Sequence, residues 1–149
     1  MQNINYMGEG TQVLGGKDGI VIRKHIAGIE AGRALDCTDY PDEIIPAGLP
    51  VITDGNGNYK PLKPNVTTTE GVTTTTYNKP QGYNYCGLVE ATITKKKAAA
   101  ILTAGVVNEV ACPYEITAEI KAALPHIMFV KEEAADVLTT YPDHSTITK

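Results

Sequence analysis

The segment from Ala98 to Val130, AAAILTAGVVNEVACPYEITAEIKAALPHIMFV, constrains this chain most. Pattern alone lets Ala98 to Ala104 be strand or helix, but Gly105-Val-Val behind it and the β-branched neighbours point to a strand. A turn-rich polar link follows. Thr117 to Leu124 then reads as a short helix. Ile116, Ile120 and Leu124 recur every four residues and make one apolar stripe. Thr117 stands where a side chain can cap free N–H groups, and Glu119 lies near the positive end of the helix dipole. Pro125 ends the helix by clashing with the preceding turn and withholding a donor. His126 to Val130 reads as a closing strand. Nothing in this segment carries catalytic equipment, so it predicts a compact β-rich module that works through its surface.

Upstream elements are short and divided by glycine and proline. Met1 to Gly19 is polar and glycine-rich, and predicts a flexible arm. Ile20 to Ile26 predicts the first strand, with Ile20, Ile22 and Ile26 on one face and Arg23 and His25 on the other. Arg33 to Cys37 predicts a second short strand with Leu35 and Cys37 inward. Ile44 to Ile52 is apolar but twice broken by proline, which predicts an edge or a bent ribbon. Asp54 to Asn58 (DGNGN) is a strong hairpin signal, with Tyr59 to Leu62 as the return strand. Residues 65–84 are threonine-rich with almost no apolar face, and predict an exposed excursion. Cys86 to Thr94 resumes a strand, with Leu88, Ala91 and Ile93 as packing groups. Lys95 to Lys97 reads as a solvated turn. Residues 131–149 form a C-terminal tail, leaving 20–130 as the folded domain. Many short strands between Gly/Pro turns favour a bent β-ribbon or a small incomplete barrel, mainly β, with one or two short helices.

Composition narrows the function. A chain of 149 residues can bury about 70% of its unfolded surface and needs no metal or disulfide to fold. With eight Tyr, one Phe and no Trp, the core must be mainly Ile, Val, Leu and Ala, and several Tyr are expected at edges with wet hydroxyls. The net charge of −4 argues against nucleic acid, whose binding needs Lys and Arg to neutralise phosphates. It argues equally against an anionic membrane surface. Three scattered cysteines, Cys37, Cys86 and Cys112, form no C-x-x-C pair and read as small hydrophobes in a reducing compartment. The N-terminus has neither basic nor apolar signal regions, so synthesis and use without export are expected.

Catalytic and cofactor motifs fail on inspection. Asp54, Asn56 and Asn58 imitate the first ligands of a calcium loop. Position six is Tyr59 and position twelve is Asn65, where glycine and a bidentate glutamate belong. Gly16-Lys17 is no phosphate loop, because no glycine stands five residues before Gly16 and Asp18 replaces the Ser/Thr. Asp136, His144 and Ser145 make only a nominal triad without a nucleophile elbow. A Cys112–His126 pair has no helix N-terminus to lower the thiol pKa. No catalytic residue, metal site or cofactor is expected.

The order of features resembles the lambda-type head decoration proteins of tailed phages. The likeness rests on the proline-broken run Ile45 to Ile52 (IPAGLPVI), the turn at Asp54-Gly55 and the strand opening Cys86 to Val89 (CGLV). It continues through the apolar stretch Ala98 to Asn108 and the helix and closing strand of Thr117 to Val130. It covers roughly Ala31 to Val130, and residues 65–84 read as an insertion in it. The resemblance implies a β-clip-like fold, a homotrimer, and the major capsid protein as partner. It also implies a place on the capsid outer surface of the virion, after synthesis in the host cytoplasm. The implied work is mechanical stabilisation of the head, with no nucleic acid and no membrane bound. Asn3, Ile4 and Tyr6 of the arm, with Ile20 and Ile22, are the candidate capsid-binding residues. The alternative is a head-fibre or adhesion module in which the threonine-rich segment binds a glycan or host surface.

Overall fold

The computed structural model of the chain describes residues 18–95 and 98–131. The elements in order are α1 (Asp18–Val21), β1 (Ile22–Arg33), β2 (Ile44–Ile45), β3 (Pro50–Thr53), β4 (Tyr59–Pro61), β5 (Asn65–Thr69), β6 (Val72–Thr76), β7 (Asn84–Val89), β8 (Ile93–Thr94), β9 (Ala99–Asn108), α2 (Ala118–Ala123) and β10 (Ile127–Val130). A single 3-10 turn, Glu109–Ala111, follows β9. The fold is mainly β, with two short α-helices and open sheets.

The main sheet runs β1-β9-β7-β3-β4, with β10 also paired to β9. β9 is its axis. One edge of β9 pairs antiparallel with β1 along nearly its whole length. The other edge takes β7 at Ile101 and Leu102, then β10 in parallel from Gly105 to Asn108. A parallel neighbour needs a crossover, and α2 provides it between β9 and β10. β1 and β9 form the bent ribbon. Four register shifts between Ile22 and Arg33 put extra residues on one strand and coil the pair.

The central strands are buried on both faces. Ile52, Leu88 and Leu102 enter one core with Val21, Val107, Ile127 and the Ile116, Ile120 and Leu124 stripe of α2. Their neighbours Val51, Val89 and Ile101 enter a second core, with Leu35, Tyr40, Ile45 and Leu49. Cross-strand pairing keeps the two sets in register, Leu88 opposite Leu102 and Val89 opposite Ile101. Side chains alternate across a strand, so consecutive apolar residues serve opposite cores. Each buried Leu, Ile or Val contributes about 1.5–3 kcal/mol.

Several expectations from the sequence are corrected. Ile20 and Ile26 do not face the core. They are 49% and 62% exposed, while Val21 is buried. Strict alternation fails there because residues 18–21 form a helical turn and β1 is bulged. Asp18 and Gly19, assigned to the arm, open α1; the rest of the expected arm, residues 1–17, lies outside the described residues, as does the tail after residue 131. Residues 34–37 form no strand, although Leu35 is buried as expected. β3 is not an edge. It is flanked by β4 and β7, and tolerates Pro50 because the proline is its first residue. Its carbonyl still accepts from Leu62 N at 2.9 Å. Strand 86–94 is broken at residues 90–92, and Ala91 is only half-buried. Thr117 occupies the N-cap position of α2, but its side chain makes no capping bond. Of the tyrosines, Tyr40 and Tyr85 are buried in the cores, while Tyr59, Tyr77, Tyr83 and Tyr114 are partly buried against them.

Two glycines permit the close strand approach. A Cβ on Gly87 meets Leu102 O at 2.3 Å and Ile101 Cγ2 at 2.8 Å. One on Gly105 meets Lys24 O at 2.3 Å. Backbone cannot yield as a side-chain tip can. Gly87→Ala is therefore expected to destabilise the protein by ~3 kcal/mol, read by urea unfolding. An unchanged midpoint would show that β7 and β9 are not so closely apposed.

Candidate functional site

The N-terminal junction is held by a polar bridge. The Asp18 carboxylate accepts from Thr92 N at 2.9 Å and Thr92 Oγ1 at 2.6 Å. The same Thr92 oxygen accepts from Ala47 N at 3.1 Å. Three segments distant in sequence are thus tied together, and the point where residues 1–17 join the domain is fixed. Arg23 adds a bond to Gly19 O at 3.4 Å.

Exposed aliphatic groups occur on α1 and on two elements near it. α1, carrying Ile20, and β10, carrying Met128, both lie against the 3-10 turn that carries Val110. Val110 is 45% and Met128 63% exposed. Asn108 turns the chain there. It is fully buried, and its side-chain oxygen accepts from Val110 N at 3.3 Å. Of the predicted binding residues, Ile20 is exposed on α1. Ile22 is partly buried and packs on the first core. Asn3, Ile4 and Tyr6 lie outside the described residues. Val110 and Met128 were missed by the sequence reading. Met128 carried a signal, since alternation in IMFV turns it away from Ile127.

Beside this surface an open cleft of about 330 Å³ is lined by Glu109, Cys112, Tyr114, Glu115, Lys121 and Lys131, among others. Glu109 pairs with both of its lysines. Glu109 Oε2 meets Lys121 Nζ at 2.5 Å, and Glu109 Oε1 lies 4.0 Å from Lys131 Nζ. The Cys112 thiol donates to Asn108 O at 3.5 Å. Burial, then the Glu109 charge, push it up to about 12. Burial lifts Cys86 to about 11 and also raises Cys37. His126 does not line the cleft. The nominal triad of Asp136, His144 and Ser145 lies outside the described residues.

The hairpin loops make their own bonds. Asp54 accepts from Asn58 Nδ2 at 2.7 Å and from Asn56 N at 2.8 Å. Those bonds, that from the Asn58 side chain foremost, hold its carboxyl below the usual range. This loop is a hairpin turn, as its D-G and N-G pairs suggest. Among the described residues, no three His, Cys, Asp or Glu gather as a metal set. No helix among them is long and apolar enough to cross a membrane.

A nucleophilic thiol needs a lowered pKa. Cys112 has the reverse, so less thiolate is present at pH 8 than in free cysteine. Its alkylation by iodoacetamide at pH 8 is expected to be at least ~100-fold slower than that of free cysteine. Rapid labelling of Cys112 below pH 7, followed by mass spectrometry, would contradict this.

No protein-family model, curated protein or solved structure matches the chain.

Proposed function

We propose that the protein is a structural virion component that decorates and stabilises the exterior of a tailed-phage capsid. Its partner is the major capsid protein, it acts as a homotrimer, and it transforms no substrate. The observation that carries this reading is the anchored junction at Asp18, with exposed Ile20 on α1, exposed Val110 on the 3-10 turn that α1 contacts, and exposed Met128 on β10 against the same turn. A chain leaving such a point can add a strand to an exposed sheet edge of a shell protein, where main-chain bonds supply affinity. The aliphatic groups beside it then lose water on contact. Each such contact is weak, but three on one trimer raise the effective concentration for the others. The feature order from Ala31 to Val130 is the second support.

The test is sedimentation of the purified protein with expanded capsids. Saturable, stoichiometric binding is expected, weakened at least ~10-fold by Ile20→Asp with Met128→Asp. Absence of binding at every expansion state would sink the reading.

One observation favours a head-fibre or adhesion module instead. The β5–β6 hairpin is exposed and carries seven threonines. Thr67→Val with Thr74→Val removes hydroxyls without altering the backbone. Saturable glycan binding by the wild type, abolished in this variant, would support that reading.

A further inference from the structure

We infer that the β5–β6 hairpin is an assembly arm, whose outer strand edges, unpaired among the described residues, pair with the same hairpin of neighbouring copies of this chain. The pairing itself is independent of the proposed capsid role; only the number of hairpins in the ring rests on the trimer.

The hairpin is built without core support. Asn65 pairs with Thr76, and each step follows without a register shift to Thr69 opposite Val72. Glu70 and Gly71 both take positive φ, 52° and 79°. That is a two-residue turn of the primed type, whose twist suits a hairpin. None of its residues belongs to either core. Val66 and Val72 stay 47% and 65% exposed. A two-stranded hairpin is marginal alone in water, so this one lacks a stabilising partner within the described residues.

Its edges are unlike the others. Free strand edges are normally blunted by charge, proline, bulges or brevity. β1 has register shifts with Arg23, Lys24 and Arg33. β4 has three residues, with Lys60 and Pro61. β10 has four, between Pro125 and Lys131. β2 and β8 have two each. The hairpin has regular five-residue strands without lysine, proline or bulge, and its one charge, Glu70, sits in the turn.

The geometry also names the groups that pair. With Thr69 and Val72 flanking the turn, alternate pairs exchange hydrogen bonds within the hairpin. Val66, Thr68, Thr73 and Thr75 then point their N–H and C=O groups outward. Thr68 Oγ1 and Thr73 Oγ1 approach to 3.3 Å, as side chains do in a non-bonded pair. The occupant that fits is a second copy. Both edges are uncharged and equal in length, and no like charges oppose when β5 of one copy lies beside β6 of the next. Such head-to-tail pairing closes into a ring when the rotation allows, and three hairpins fit a trimer.

The test is amide hydrogen exchange by NMR on the full chain, with mass from light scattering. In the assembled protein the Val66, Thr68, Thr73 and Thr75 amides are expected to exchange at least ~100-fold slower than in an unstructured peptide. Thr68→Pro with Thr73→Pro removes two outward donors and spares the internal ones. It is expected to raise the dissociation constant of the assembly at least ~10-fold, with sheet unfolding unchanged. An assembly in which the four amides exchange freely overturns the pairing and leaves the trimer standing. A monomer at every concentration overturns both. Protection that appears only on adding capsids or a glycan assigns the edges to that partner and overturns the proposal.

Discussion

Burial of β9, β7 and β3 on both faces is the constraint on which the rest of the structure depends. A sheet wet on one side needs an apolar residue only at alternate positions. Here Val51 and Ile52, Leu88 and Val89, and Ile101 and Leu102 are each consecutive, and each pair serves two cores. Cover must therefore come from both sides. The Ile116 to Leu124 segment covers one face. The stretch from Leu35 to Leu49 covers the other. Truncating one of these large side chains to alanine costs about 2–5 kcal/mol, so neither cover is optional. The strands must also lie close, and Gly87 and Gly105 allow it.

That arrangement decides where function can sit. The described strands are filled by the two cores, and in the open cleft at Glu109 that carboxylate is engaged by Lys121 and Lys131. What remains are surfaces at the periphery. One is the end that holds Asp18 and the exposed Ile20, Val110 and Met128 of α1, the 3-10 turn and β10. The other is the hairpin, which no core covers. The two are bound to the domain differently. The first is fixed by the Asp18–Thr92–Ala47 bridge. The second hangs on the strand ends, steadied below by Tyr77, whose hydroxyl donates to Glu115 O at 2.9 Å. Burial raises the pKa of that phenol well above its ordinary value, so it remains a donor at neutral pH.

Much of the fold was legible in the sequence. The helix before Pro125 followed from the four-residue repeat, and the Asp54 to Asn58 hairpin from its turn residues. The exposure of residues 65–76 followed from threonine without an apolar face. What was illegible was non-local. Nothing in Ile20 to Ile26 reveals bulges that depend on the facing strand, so its inward residues were misassigned. The central place of β3 was hidden because Pro50 is excluded from a strand interior but not from its first position. Thr92 as the anchor of Asp18 spans 74 residues and leaves no local pattern. The candidate surface was half legible. Ile20 was named for a strand face it does not occupy, and it is exposed because α1 turns it outward. Val110 depends on the 3-10 turn, which only the buried Asn108 cap explains.

The central claim is that two cores share one set of strands and so form one cooperative unit. Calorimetry of Ile101→Ala and Leu102→Ala, one residue from each core, tests it directly. The account predicts a single transition in both variants, lowered in midpoint, with calorimetric and van't Hoff enthalpies equal. Two separated transitions in Ile101→Ala, with the first core melting at its original temperature, would contradict it.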